Sequence, residues 1–398
     1  MSNILSYKLN TMPKSDDRNL SLMSMAEVQQ ARRFHESFPQ YKKTPLVDLK
    51  HMANYLGLSA VKVKDESYRF GLNAFKVLGG SYAIARYIAD ELQKDINTVD
   101  YTFLTSNTCK QEFGQATFFS ATDGNHGRGI AWAANQLGQK CVIFMPKGST
   151  QTRLENILKE GATATIEDLN YDDCVRKAAQ EAAKVPHGVV VQDTAWEGYE
   201  KIPAWIMQGY GTMALEADED FGEKPTHIFV QAGVGSLAAG MVGYFANKYK
   251  DNPPIMVVVE AAAANCLYQG AVANDGQPRI VGGDLQTIMA GLACGEPNIT
   301  AWDILKNHVS CFVSLQDEAA AMAMRMLAAP IKGDTPIVSG ESGAAGFGAL
   351  ATIMLHEEYK ALRQALHLDQ NAKVLLFSTE GNTDPDVYRK IVWEGLNH

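Results

Sequence analysis

The sequence lacks several features that would assign the protein to a simple class. The chain has a formal net charge of −9 and contains no long run of basic residues. Both observations argue against a nucleic-acid partner. No uncharged apolar run is long enough to span a bilayer, and the first residues contain no apolar core of signal-peptide length. These absences predict a soluble, cytoplasmic protein with no membrane partner.

Clustered cysteines are also absent. The six cysteines form no CxxC pair and no cluster with histidine, which argues against a structural zinc site and a disulfide scaffold. We therefore predict no metal site and buried, reduced thiols. Cys266 and Cys294 flank a segment that carries functional motifs, and whether these two pair stays open. Internal repeats, low-complexity tracts and a Pro/Ser linker are absent as well.

The sequence does contain an alternation of short apolar runs with helix-like segments. The chain has 398 residues and a hydrophobic content of 46%, which is too long for a single compact core, so two domains are expected. The alternation predicts two parallel α/β sheets covered by helices, with residues 1–84 and 196–398 in a large domain and 85–195 in a small one. Residues 317–329 are predicted as a helix with Asp317 as its N-cap. Ligands of such folds bind where strands end in turns.

The first turn of interest is NAFKVLGG, residues 73–80, where Lys76 has apolar neighbours and two glycines follow. Burial disfavours the charged form of a lysine, lowers its pKa and makes the amine a nucleophile toward carbonyl groups. The alternative is a lysine whose stem lies along the core edge while its amine is solvated. The octet alone favours this alternative, because most lysines are solvated.

The second turn is SATDGNHGRG, residues 120–129, where an apolar strand ends in small polar residues and a helix follows. Glycines beside the polar residues allow the backbone to approach a ligand, and the helix N-terminus offers amide donors to an anion. The alternative is an ordinary turn with Asp123 as a helix cap. His126 and Gly127 make the motif much more specific than a generic DGN turn.

The third turn is IFVQAGVGSLAAG, residues 228–240, where a strand continues through Gly233, Gly235 and Ser236 into an alanine-rich helix. This pattern predicts a phosphate cradle, because glycines expose amides and the helix dipole favours negative charge. The letters GVGSLA also match a dinucleotide fingerprint. Glu260, at the end of the next strand, stands where a nicotinamide enzyme carries its ribose-binding carboxylate. Taken alone, this segment favours NAD.

The fourth turn is LLFSTEGNTDP, residues 375–385, which presents Thr379 either within a capped turn or as a hydroxyl facing a ligand. The four motifs, in this order, resemble the fold-type II pyridoxal phosphate enzymes, the group of serine/threonine dehydratases, serine racemase and cysteine synthase. Residues 192–216 and 282–298, with the aspartate of TDGNHGRG, resemble the diaminopropionate ammonia-lyase branch of that group.

The resemblance implies a fold-type II enzyme with two parallel-sheet α/β domains, an active site in the cleft between them, and pyridoxal 5′-phosphate as cofactor. It implies that Lys76 holds the cofactor as a Schiff base. Asn125 is implied to contact the phenolic oxygen of the ring, and Thr379 its pyridine nitrogen. The residues implied to hold the phosphate are Gly233, Val234, Gly235 and Ser236. Those implied to shape the pocket for the substrate carboxylate are Asn73, Thr122, Gly124 and His126.

The implied reaction is the α,β-elimination of 2,3-diaminopropionate, as D and L isomers, to pyruvate and ammonia. Asp123 occupies the position of the opposite-face base in serine racemase, so it is predicted to serve the D isomer while Lys76 serves the L isomer. A carboxylate is a far better base at neutral pH than an unactivated hydroxyl. Asp193, after GVVVQ, is the candidate for binding the substrate's second ammonium group, with helix capping as the alternative. Fold-type II enzymes are often homodimers, and we expect one here.

Other functions stay open. The same residues would serve a serine/threonine dehydratase, and only Asp123, Asp193 and the branch-like stretches argue otherwise. An NAD-dependent oxidoreductase would use GVGSLA and Glu260, but it leaves the other three turns without a role. A catalytically inactive binding module is hard to reconcile with Lys76 and a complete phosphate cradle.

Overall fold

A computed structural model describes residues 3–122 and 124–397. The strands in this part of the chain are β1 (Leu5–Leu9), β2 (Leu46–Asp48), β3 (Ala60–Asp65), β4 (Thr117–Ala121), β5 (Lys140–Met145), β6 (Thr163–Ile166), β7 (Gly188–Val190), β8 (His227–Gln231), β9 (Ile255–Ala261), β10 (Cys311–Leu315) and β11 (Lys373–Ser378). The α-helices are α1 (Met25–Glu36), α2 (Lys50–Tyr55), α3 (Val77–Glu91), α4 (Tyr101–Thr105), α5 (Asn107–Glu112), α6 (Asn125–Gln136), α7 (Gln151–Lys159), α8 (Tyr171–Ala182), α9 (Lys201–Phe221), α10 (Ser236–Tyr249), α11 (Cys266–Ala273), α12 (Ile299–His308), α13 (Asp317–Ala328), α14 (Glu341–Leu355), α15 (Lys360–Ala365) and α16 (Pro385–Val392).

The chain divides into two compact units. The first contains the residues up to Met25, Lys43–Tyr68 and the residues from Met213 onward, and the second contains Ala26–Lys42 and Arg69–Thr212. The domain boundaries predicted from the sequence, with 85–195 as a small domain, stay a prediction about independent folding units.

The first unit is built on a seven-stranded sheet with the order β1-β10-β9-β8-β11-β3-β2. Its five inner strands run parallel, and the edge strands β1 and β2 run antiparallel to their neighbours. Every residue of β8 and β10 is buried, as expected for parallel strands covered on both faces. The predicted strands β8 to β11 are confirmed by this sheet.

Strand β3, AVKVKD, was not predicted, because its polar letters do not resemble those of an inner strand. An ion pair explains how a lysine can lie in this inner strand. Lys64 is completely buried, and its Nζ lies 2.7 Å from Oε2 of the equally buried Glu216. A buried charge that is paired and hydrogen-bonded can occupy a sheet interior, but its partner in α9 cannot be identified from the strand's own sequence.

The second unit is built on a four-stranded, all-parallel sheet with the order β6-β5-β4-β7. A small apolar core, which includes Phe119 of β4 and Phe144 of β5, covers one part of it together with residues of α8. The predicted strands of this region are all present. The α/β class with parallel sheets is therefore confirmed in both units.

Helix α13 begins one position differently from the prediction. Its N-cap is Gln316, and Asp317 is the first helical residue. The Asp317 carboxylate accepts hydrogen bonds from the Thr287 hydroxyl and from the Ile288 N–H at 3.1 Å, so it binds the preceding loop instead of capping its own helix. None of the helices in the described ranges combines the length and the apolar character that a membrane crossing requires.

Candidate active site

Lys76 lies at the N-cap position of α3, where the structure pairs it with a carboxylate. Its Nζ donates a hydrogen bond to Oδ2 of Asp193 at 2.9 Å. The Lys76 side chain is 18% exposed and that of Asp193 is 7% exposed. Two candidates that lie far apart in the sequence therefore form one largely buried ion pair. The apolar neighbours of the lysine gave no indication of this partner.

Asp193 follows β7 in an irregular segment, and α9 begins only at Lys201. The alternative of a helix cap is therefore wrong. Burial on its own would raise the pKa of Asp193. The charges of Lys76 and His126, with the hydrogen bond from Lys76, outweigh burial and lower the pKa to about 2. Asp193 is thus a carboxylate throughout the neutral pH range.

Gln192, the buried residue before Asp193, fixes the end of β7 to the end of β4. Its side-chain oxygen accepts a hydrogen bond from Ser120 Oγ at 2.9 Å, and its N–H donates to Tyr199 Oη at 2.8 Å. The side-chain amide also donates to Tyr171 Oη. These bonds hold the backbone that presents Asp193. Neither Gln192 nor Tyr199 was predicted as a site residue, although both lie in the branch-like stretch 192–216.

Close packing explains why two positions of GNHGRG, Gly127 and Gly129, are glycines. A Cβ atom at Gly127 would lie 2.3 Å from Thr122 Cγ2, and one at Gly129 would lie 2.7 Å from the backbone nitrogen of Val77. Helix α6 therefore packs directly on the backbone that follows Lys76. Thr122 Oγ1 accepts a hydrogen bond from the Gly124 N–H at 2.9 Å, which shapes the turn. Asp123, the predicted base, lies outside the described residues.

The other candidates of this unit are Asn125, His126 and Asn73. Asn125 is the first residue of α6. His126 Nε2 donates to the Val191 carbonyl oxygen at 3.1 Å, while its Nδ1 lies 3.9 Å from Asp193 Oδ2. Asn73 has a φ of +60°, a left-handed conformation that asparagine tolerates better than most residues.

The predicted phosphate cradle lies between β8 and α10 in the first unit. Gly235 is the N-cap of α10 with a φ of +104°, a conformation that favours glycine. Ser236 Oγ accepts a hydrogen bond from Asn298 Nδ2 at 2.8 Å, and the Asn298 N–H donates to the Val234 carbonyl at 2.8 Å. Asn298 thus holds the turn in place. Sequence reasoning missed this role, although Asn298 ends the stretch 282–298.

The second candidate group of this unit is the hydroxyl of Thr379, directly after β11. Buried Gln231, at the end of the neighbouring strand β8, donates from Nε2 to Thr379 Oγ1 at 2.8 Å and to the Phe377 carbonyl at 2.9 Å. Because Gln231 is the donor, the Thr379 proton can be given to an acceptor. Strands β8 and β11 run parallel, so the predicted cradle and this hydroxyl both lie at the carboxyl ends of the strands.

Glu260 does not play the role that the nicotinamide interpretation requires. Its completely buried carboxylate accepts hydrogen bonds from the Leu267 N–H at 2.8 Å and the Tyr268 N–H at 2.6 Å, in the first turn of α11. Burial raises the pKa of Glu260 to about 8 despite these donors. The carboxylate therefore binds its own chain. No group of metal-binding side chains was found among the described residues.

The predicted phosphate cradle and a strand-end hydroxyl lie on the parallel sheet of one unit, and a lysine paired with a carboxylate lies in the other. This set of groups is typical of a pyridoxal-phosphate dependent enzyme. The family of that description matches residues 38–380. Diaminopropionate ammonia-lyase of Salmonella typhimurium is 52% identical over 402 residues, which cover 99% of each chain. The chain belongs to the diaminopropionate ammonia-lyases within this family.

Solved structures support the same assignment. The crystal structure of Escherichia coli diaminopropionate ammonia lyase in complex with D-serine has a TM-score of 0.90 at 46% identity and covers 99% of this chain and 98% of that one. A structure of the same enzyme with an aminoacrylate-PLP azomethine reaction intermediate has a TM-score of 0.88, with the same identity and coverage. The predicted family, the fold-type II class and the pyridoxal 5′-phosphate cofactor are confirmed, and the NAD-dependent oxidoreductase is excluded. The homodimer and the cytoplasmic location stay predictions.

Proposed function

We propose that this enzyme converts both D- and L-2,3-diaminopropionate to pyruvate and ammonia by α,β-elimination. The observation that carries the proposal is the 2.9 Å ion pair between Lys76 and Asp193. A buried carboxylate in the site binds an ammonium group, and a substrate with a second ammonium group offers it the same charge and the same donors. Serine and threonine, the substrates of a dehydratase, carry a hydroxyl there instead. The activity of the Salmonella and E. coli relatives supports the proposal.

The candidate residues of each unit fit a part of pyridoxal 5′-phosphate. The backbone of residues 233–236, with Gly235 at positive φ and a helix N-terminus behind it, suits a phosphate group. Thr379 accepts from Gln231 and can donate its proton to a ring nitrogen, and Asn125 is proposed to bind the phenolic oxygen. Lys76 is proposed to attach the cofactor through its amine. When bound, the cofactor withdraws electrons from the α-carbon and makes the α-proton acidic.

Asp193 is proposed to bind the second ammonium group of the substrate. An amine leaves readily only when it is protonated, and a negative charge beside it favours the protonated form. Beside an ammonium group such as that of Lys76, Asp193 has a pKa of about 2 and is a carboxylate. His126, with Nδ1 3.9 Å from the same carboxylate oxygen, completes the polar surroundings.

Two residues are proposed to remove the α-proton from opposite faces. The Lys76 amine serves the L isomer, and the Asp123 carboxylate serves the D isomer. Support for Asp123 comes from its place in TDGNHGRG and from the D-serine complex of the E. coli relative. The substrate carboxylate is proposed to bind near the N-terminus of α6, and the proposed contacts are Asn73, Thr122, Gly124 and His126.

We also propose that the enzyme is a cytoplasmic homodimer, as the family resemblance implies. Light scattering after size-exclusion chromatography tests this assembly, and a monomeric mass would contradict it. The domain division into 1–84 with 196–398 and 85–195 is likewise a proposal. Expression of residues 85–195 alone tests it, since an independent domain would unfold cooperatively.

Pyruvate release from D- and L-2,3-diaminopropionate, beside L-serine and L-threonine, tests the proposed reaction. Turnover of both diaminopropionate isomers, with much slower turnover of the hydroxy amino acids, is the expected result. Turnover of L-serine or L-threonine alone would make the protein a dehydratase.

A further inference from the structure

Tyr210 of α9 lies against the turn that carries Lys76. Its side chain is 1% exposed, and its ring centroid is 4.8 Å from that of Phe75, the residue before the lysine. A Cβ atom at Gly79 would lie 2.6 Å from Tyr210 Cε1 and 2.9 Å from Cζ, the carbon that bears the hydroxyl. Because Gly79 is about one helical turn after Lys76, the hydroxyl end of the ring lies beside the first turn of α3.

The ring is held firmly in this place. A Cβ atom at Gly209 would lie 2.4 Å from the Leu78 carbonyl oxygen and 2.9 Å from Gly79 Cα. The backbones of α9 and α3 therefore touch through glycines, and Tyr210 follows directly after this contact. Its position relative to the lysine turn is thus fixed by the crossing of the two helices.

The Tyr210 hydroxyl is buried and has no hydrogen-bond partner among the described residues. A buried hydroxyl without a partner destabilises the folded protein, whereas phenylalanine would fill the same space without this cost. Burial raises the pKa of Tyr210 well above its usual value, and the charges of Lys76 and Asp193 act on it in opposite directions. The phenol is therefore neutral at every working pH.

We propose that Tyr210 is a positioning residue whose hydroxyl accepts a hydrogen bond from the free Lys76 amine while the substrate ammonium occupies Asp193. The inference rests on the proposed function, in which Asp193 binds that ammonium. A neutral phenol oxygen fixes one N–H of the amine and so directs its lone pair, which is what a base acting on the α-carbon requires. Since Lys76 serves the L isomer and Asp123 the D isomer, Tyr210 acts on the L reaction.

The test compares Tyr210→Phe with Tyr244→Phe in the holoenzyme. Tyr244 is a suitable control because it is also fully buried, but its hydroxyl has a partner, the Asp218 carboxylate at 3.0 Å. Three properties are measured: the unfolding temperature with and without cofactor, kcat and KM for each isomer, and the pH profile of kcat for the L isomer.

Tyr210→Phe is expected to lower kcat for the L isomer about tenfold and for the D isomer less than about twofold, with KM unchanged. The base-dependent limb of the L profile shifts, while the cofactor-free variant unfolds no earlier than wild type. Tyr244→Phe unfolds earlier and keeps the wild-type ratio of L to D turnover.

Equal losses for both isomers, or earlier unfolding of Tyr210→Phe, would assign the hydroxyl a structural role and overturn the inference. Unchanged kinetics would overturn it as well. Wild-type turnover separates this inference from the proposed function. If the wild type released pyruvate from neither isomer, the proposed function and the role of Tyr210 would both be wrong. If the wild type turned over both isomers and Tyr210→Phe kept the same isomer ratio, only the role of Tyr210 would be wrong.

Discussion

The substitution Asp193→Asn tests how the enzyme distinguishes an amine substrate from a hydroxy amino acid. It keeps the shape of the side chain and removes the charge that pairs with Lys76 at 2.9 Å. If Asp193 also binds the substrate ammonium, the variant loses one charge-assisted hydrogen bond to diaminopropionate. Such a bond contributes about 1.5–3 kcal/mol, which corresponds to a fall of about 10- to 150-fold in kcat/KM.

L-Serine provides the internal reference for this experiment, because it carries no second ammonium group. The kcat/KM for L-serine is expected to stay unchanged or to rise, because the variant leaves no charge unpaired when serine binds. The ratio of the two values therefore reports the lost charge and cancels general damage to the site. Pyruvate release gives both values in one assay. Glu160→Gln, which removes a carboxylate 2.9 Å from Arg128 in the same unit, is the control and keeps the wild-type ratio.

One result would refute the reasoning. If Asp193→Asn reduced kcat/KM for L-serine and for diaminopropionate by the same factor, Asp193 would act on Lys76 alone. The ammonium of the substrate would then have another partner, and selectivity for diaminopropionate would need another explanation.

Three further predictions concern the D isomer, stability in acid and the phosphate cradle. Asp123→Asn is expected to lower pyruvate release from the D isomer at least about a hundredfold, since one general base contributes about 10²–10⁴-fold to the rate. The L isomer should keep most of its rate. An equally severe loss with the L isomer would contradict the proposal that Asp123 and Lys76 act on opposite faces of the α-carbon. The pKa of Asp193, about 2 against an ordinary 3.8, means that the unfolded chain takes up this proton first on acidification, so the stability that the pair adds at neutral pH is lost as the pH falls from about 4 through 2. Of a contribution of about 2 kcal/mol at pH 7, about half should be lost at pH 3, and denaturation of the wild type but not of Asp193→Asn should show this fall. Gly235→Ala places a side chain at a φ of +104° and should destabilise the cradle by about 1–3 kcal/mol, seen as weaker cofactor binding in an absorbance titration with unchanged secondary structure by circular dichroism.

The sequence was most informative where chemistry imposes a local requirement. Gly235 stands at a positive φ, which few other residues adopt, so a glycine before a helix could be recognised without the fold. The parallel strands were recognisable for a similar reason, since β8 and β10 are buried along their whole length and read as continuous apolar runs.

Features that depend on distant partners could not be predicted. Lys64 in β3 is acceptable in a sheet interior because Glu216 and the Thr44 carbonyl oxygen face its amine. Lys76 is held by Asp193, 117 positions along the chain. The same limit applies to Gln231, whose bond to Thr379 joins two strands that are neighbours in the sheet but not in the sequence. Residue types predicted the individual turns, whereas the pairing of side chains required the topology.

The pairing of Lys76 with Asp193 also suggests why one carboxylate suffices for both selectivity and catalysis. A charge buried in the protein is costly unless a positive partner accompanies it, and here Lys76 is that partner. If Asp193 binds the substrate as proposed, a second ammonium group of the substrate becomes the partner of this carboxylate when Lys76 engages in chemistry, while serine leaves the carboxylate without one. Rejection of serine would then arise from the unpaired charge and not from a steric block, as in sites that bind a polar group and exclude the analogue lacking it.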